Sequence, residues 1–335
     1  MGLRARILTL PVMLAFVVSL IWRPIGAVGE AVRVLNQDGL LWVSPTPVSH
    51  AAVGQRLNSL PALLVENVLK AIWPTMAARW GERTRPIPPA VAFVQQRFRQ
   101  VVVLDGSTLD SLVRKTGLRR EAATHPLAGR IAAVLDGVTR LPVHLWYEPD
   151  DKAHDQRFGL SVINPLVAEC LLMFDSGLLN FDQLTGANRW FVTRPTSNPV
   201  YQVTQVLRQT AQVQDSRMAL GGPQKHCQHP MRLVECRWHG TWYRYLTNVT
   251  DAARWPPEVL VALYAQRWPI ADAFNAVKRL LGLADFWSGA LNGGRVQLGA
   301  TRVLFAGLVD LTHSVAQAMD LPFQAISIEM VFRGL

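Results

Sequence analysis

Two short runs without a polar side chain, VVVL at 101–104 and LLMF at 171–174, each stop on an aspartate, Asp105 and Asp175. Runs this short, bulky or β-branched and closed by Gly and Ser, read as strands buried on both faces. Strands of that kind need cover on both sides of a sheet, which constrains the chain to an α/β architecture. They also deliver a carboxylate at each strand's C-terminal end.

The rest of the chain organises around that expectation. Residues 1–85 read as a helical N-terminal module. It opens on an apolar run at 7–22, read as a buried core helix, with a signal or short membrane anchor as the alternative because MGLRAR supplies a basic start. Ser49 is the expected N-cap of a helix opening at His50. The proline-rich RTRPIPPA at 83–90 is the expected boundary. Beyond it, residues 86–190 and 250–290 are read as a mixed-sheet core, with RIAAVLDGVTRLPVHLWYEP supplying two more strands around a turn at Asp136 and Gly137. SVINPLVAEC is read as a helix-like link, which puts Cys170 on a helix. Residues 191–249 carry short β-rich runs such as MRLVECRWHG and TWYRYLTNV, an antiparallel insertion, and 291–335 form a helical C-terminal tail.

Half of the 335 residues are hydrophobic, enough for a sizeable core. Lys and Arg outnumber Asp and Glu 34 to 24, a formal net charge of +10, which makes a polyanion the first partner to consider. Three cysteines, an odd number, argue against a disulfide framework and for a reducing compartment.

The stretch YAQRWPIADAFNAVK, 264–278, reads as one helix. With Tyr264 at zero on a helical wheel, Arg267 falls near about 300°, position 271 near about 340° and Lys278 near about 320°. That face could meet a strip of phosphate, with Arg267 and Lys278 on its oxygens and Tyr264 positioning a strand. Two acids at strand ends plus such a helix form the minimum plan of a metal-dependent phosphoryl-transfer site, since hard divalent cations take carboxylate oxygens.

These residues resemble the DDE transposases of the "type four" insertion-sequence family, which have an RNase-H-like catalytic core. The family's D-G-[ST] turn is matched by Asp105-Gly106-Ser107, and its F-D-x-G turn by Phe174-Asp175-Ser176-Gly177. Its signature helix (Tyr, two residues, Arg, three, Glu, six, Lys) is matched at Tyr264, Arg267 and Lys278. The similarity runs from about residue 30 to the C-terminus. It implies Mg²⁺ or Mn²⁺ held by Asp105 and Asp175, water activated for hydrolysis at an element's end, and attack of the freed 3′-OH on target DNA. It also implies double-stranded DNA as partner, a homodimer pairing two ends, no small-molecule substrate, and a cytoplasmic, nucleoid-associated location.

At the position of the family's glutamate stands Ala271, which has no oxygen to offer a metal. Asp272 falls near about 80° on the same wheel, pointing past the site. The expectation is therefore a transposase-like DNA-binding protein in which metal-dependent cleavage is weakened or lost. A catalytically inactive DNA-binding relative is one alternative, and a membrane-attached basic protein another.

Weaker signals surround this core. Arg114 and Lys115, with Arg119 and Arg120, could line a DNA channel or form a solvated face. His226, Cys227, His229, Cys236 and His239 crowd together but lack a zinc-finger spacing, and the stretch alternates like a hairpin. Trp190, Trp238 and Trp242 are read as anchors of the β segment.

Overall fold

The computed structural model describes residues 7–22, 25, 27–83, 86–108, 130–148, 159–175, 179–195, 199–222, 225–267, 287 and 291–335. Among these, a mixed sheet is flanked by helices from both ends of the chain. The N-terminal helices are α1 (Leu10–Trp22), α2 (Val28–Gln37), α3 (His50–Ser59), α4 (Ala62–Glu82) and α5 (Pro89–Gln95). Ser49 caps α3 as expected, its hydroxyl accepting from the Ala52 amide at 3.1 Å. In α1 the side chains of Met13, Phe16, Val17, Leu20 and Ile21 are buried in the core, which is where its apolar run goes. No helix among the described residues is long and apolar enough to cross a membrane.

The first three strands, β1 (Gln100–Thr108), β2 (Arg130–Asp136) and β3 (Pro142–Glu148), form an antiparallel meander. Then come α6 (Gly159–Ile163), β4 (Cys170–Phe174), α7 (Phe181–Gly186) and β5 (Trp190–Thr193). Both β4 and β5 run parallel to β1, with the order β3-β2-β1-β4-β5. Cys170 is thus the first residue of a buried strand and not part of a helix. Pro165 cuts the helical link short, and the β-rich run that follows pairs with β1.

The β-rich segment continues the same sheet. It comprises β6 (Tyr201–Gln209), β7 (Val213–Gly222), β8 (Lys225–His226), β9 (Met231–Trp238) and β10 (Thr241–Thr247). The path runs on from β5 through β10, β9 and β7 to β6, with β8 paired to β7. The boundary expected at 190/191 therefore falls inside β5, whose residues pair with β4 on one side and β10 on the other. Strands β9 and β10 meet at His239-Gly240, both with positive φ (46° and 82°), the two-residue turn whose twist suits a hairpin.

Alternation along β1 and β4 sorts the core into two layers. Val102, Leu104, Leu172 and Phe174 face a cluster with Val162, Ile163 and Leu184. Val101, Val103, Leu171 and Met173 face the larger cluster, which also takes in α1, α4, the helix α8 (Pro257–Ala265) and the long helix α9 (Leu291–Ala318). That cluster runs across the proline-rich 83–90 stretch, so the N-terminal helices share the core of the sheet. Arg83 reinforces the join with an ion pair to Asp310 of α9 at 3.0 Å. The short α10 (Ile328–Arg333) closes the described chain.

The helix read over 264–278 is not continuous in its described part. Helix α8 ends at Ala265, with Gln266 as its C-cap. Within the described residues the wheel through Tyr264 is therefore interrupted at Gln266. Residues Ala271, Asp272 and Lys278 lie outside the described residues, as do Arg114 and Lys115.

Candidate functional site

The parallel pairing of β1 with β4 runs from Gln100↔Cys170 to Val103↔Met173. Carried two residues further, that register sets Asp105 level with Asp175, on neighbouring strands about 5 Å apart. Each aspartate is an even number of residues from Val103 or Met173, so both leave the sheet on the face covered by α8 and α9. The Asp105 side chain is 23% exposed and that of Asp175 51%.

From the far end of the chain, α8 brings Tyr264 and, just past its cap, Arg267 onto the same spot. The Arg267 side chain is only 5% exposed. Its Nη1 lies 3.9 Å from Asp105 Oδ1, and its Nη2 lies 3.4 Å from Asp175 Oδ2. These are ion-pair distances, at or beyond the outer limit of a hydrogen bond. Tyr264 is 1% exposed and its hydroxyl donates to the Phe174 carbonyl at 3.2 Å, fixing the strand end that carries Asp175. Burial pushes the Tyr264 phenol up to about 12, with Arg267 opposing and Asp175 adding to the shift. Its ring packs on Tyr245 of β10 at 5.1 Å. In this structure Tyr264 and Arg267 are buried and turn toward the two acids.

One neighbour escaped the sequence reading. The pairing of β4 with β5 ends at Phe174↔Thr193, so Arg194 stands level with Asp175 on the third strand. Its guanidinium carbon lies 6.0 Å from the Tyr264 ring centre. The available signal was that WFVT, like VVVL and LLMF, is a strand-like run closed by a charged residue. Asp105 lies inside β1, which pairs on with β2 as far as Thr108 and so does not end on its acid as expected, whereas Asp175 and Arg194 each follow the last residue of β4 and β5; Arg267 lies over the two acids.

The chemistry of this donor set decides how far it suits the metal that the resemblance implies. Two carboxylates on adjacent strands are hard oxygen donors of the right kind. A two-ion centre needs about three acids, and a guanidinium already lies over the two present. The described residues by themselves do not fit a two-metal centre. Among the described residues no group of three or more His, Cys, Asp or Glu could hold a metal ion.

The His/Cys stretch belongs to the β ribbon. Cys227 Sγ donates to Asp182 Oδ1 at 2.8 Å, and burial, with that bond, pushes the thiol up to about 11. A protonated thiol so engaged ties the residue that follows β8 to α7. Cys236 is half-buried on β9, its thiol likewise raised to about 11 by burial.

No protein-family model matches the chain. It is similar to a protein of Sinorhizobium fredii named "Putative transposase y4zB", 27% identical over 189 residues, a match covering 50% of this chain and 52% of that protein. The chain therefore spans about half the length of this curated relative.

Proposed function

We propose that this is a transposase-like, DNA-binding protein on an RNase-H-like core, in which metal-dependent strand cleavage is weak or absent. The observation that carries the reading is the convergence of Asp105, Asp175 and Arg267, from three distant segments, beside the point where the parallel pairing of β1 with β4 stops. The RNase-H-like reading needs its two acids side by side, and the order β3-β2-β1-β4-β5 supports it. The transposase name of the similar protein points the same way, as do the turns around Asp105 and Asp175.

Double-stranded DNA is the partner that suits the charge of +10. Arg194 at the β5 end, and Lys278, Arg114 and Lys115 from the sequence, are its proposed phosphate contacts. A cleft of about 210 Å³ with Arg295 and Arg302 on its wall lies between α4, β3 and α9. It opens on the acids' face of the sheet, because Asp105 pairs with Ala133, which packs on Leu298 of α9. In this reading Asp105 and Asp175 are what remains of a catalytic set, Tyr264 fixes the strand end, and the active assembly is a homodimer. In this reading strands β6 to β10 are an insertion between the last core strand, β5, and α8.

Two measurements test this. Fluorescence anisotropy with duplex DNA should show binding that weakens linearly in log affinity against log salt, by many phosphate contacts' worth. A manganese-supported nicking assay should find no cleavage by the natural chain and measurable nicking by Ala271→Glu. Equal nicking by the two would overturn the assignment of the missing acid, and salt-insensitive or undetectable DNA binding would overturn the DNA reading itself.

A further inference from the structure

We propose that Arg267 is a built-in counter-ion: its guanidinium holds Asp105 and Asp175 together in the place a divalent cation would need, and keeps Mg²⁺ or Mn²⁺ out. The inference goes beyond the DNA-binding reading and stands without it.

Three observations carry it. The acids lie two residues past the last pair of adjacent strands and both meet the same guanidinium, so their charges repel unless a cation lies between them. That cation is present as Arg267, within 3.9 Å of one carboxylate and 3.4 Å of the other, on a side chain with 5% exposure. Guanidinium stays protonated at any ordinary pH, so the charge is permanent and cannot step aside by losing its proton. Finally, among the described residues no third acid joins the pair to favour a doubly charged ion over the singly charged guanidinium.

The side chain is a positioning group for the acid pair and excludes metal by charge and by volume. Mg²⁺ demands oxygens at about 2.1 Å in octahedral array. With one carboxylate oxygen on each side already facing the guanidinium, an ion must first displace it.

The test is calorimetric titration of the full, chelator-treated chain with MnCl₂, for the natural sequence, Arg267→Gln, and Arg267→Gln combined with Asp175→Asn. We expect Arg267→Gln to bind Mn²⁺ at least tenfold more tightly than the natural chain, and the added Asp175→Asn to abolish the gain. Equal or tighter binding by the natural chain, or a gain that survives Asp175→Asn, overturns the proposal. Should Arg267→Gln fail to fold, the melting temperature of the natural chain with and without Mn²⁺ decides. No saturable rise is expected, and a saturable rise lost in Asp175→Asn refutes the counter-ion role. Duplex DNA anisotropy on the same samples separates the two readings. A loss of DNA affinity in Arg267→Gln with no gain in Mn²⁺ binding assigns the guanidinium to phosphate and overturns the proposal. Undetectable DNA binding throughout leaves the Mn²⁺ result intact.

Discussion

Arg232 and Arg267 each meet aspartate, and their two settings differ in burial, distance and number of partners. In the β ribbon, Arg232 and Asp215 are fully buried, their side chains 0% and 1% exposed. The contact is bidentate, Nε to Oδ1 and Nη2 to Oδ2, both 2.7 Å, and Nη1 donates to the Trp255 carbonyl at 2.8 Å. At the strand ends, Arg267 spans two carboxylates at 3.4 and 3.9 Å, one of them half exposed. The first pair is spent on structure: it ties β9 to β7 and to the loop that leads into α8. The second holds together charges that a packed core would not place side by side. Tight, satisfied geometry marks a clasp, whereas loose geometry over like charges marks a site.

The contrast can be broken by mutation. Asp215→Ala should cost about 3–5 kcal/mol, because it leaves a buried guanidinium uncompensated. Urea denaturation would show it, and the double change Arg232→Met with Asp215→Leu should recover most of the loss. A cost for Asp215→Ala below that of an exposed pair would remove the distinction between the two settings.

Tyr264→Phe should cost about 1 kcal/mol at neutral pH, the usual net worth of one hydrogen bond. The phenol's folded pKa is raised from 10.0 to about 12, so its contribution is fully present below pH 10 and is lost as pH rises from about 10 to about 12. Denaturation midpoints followed across that window should fall more steeply for the natural chain than for Tyr264→Phe. Identical slopes would place the hydroxyl outside the core.

The smallest effect is expected at the site itself. Asp175→Asn should change stability by less than about 1 kcal/mol, since half its side chain is in water and exposed pairs contribute little. Its effect should shrink further in high salt. A loss comparable to that of Asp215→Ala would recast the strand-end cluster as a second clasp.

Part of this was legible from residues alone. VVVL and LLMF announce buried strands because nothing in them tolerates water, and each acid closes its run because a carboxylate does not enter such a core unpaired. Ser49 announces a helix start through a hydrogen bond made within three residues. Other features were not legible. Position Cys170 opens a strand because of its partner in β1, a residue 70 places away. The helix read over 264–278 is interrupted at Gln266 within its described part, where the regular spacing of the polar residues had suggested continuity. Arg194 went unnoticed because its importance depends only on which strand lies beside β4.

The sequence by itself determined the element types, the basic charge, the two acids and the lack of an oxygen at Ala271, because these rest on side-chain chemistry and on contacts a few residues long. Only the tertiary structure decided that Arg267 points inward at both acids, that Tyr264 is buried beneath them, and that the β ribbon extends the same sheet. Those outcomes depend on strand register and helix placement, which are selected by burying apolar surface across hundreds of residues and leave no local imprint in the chain.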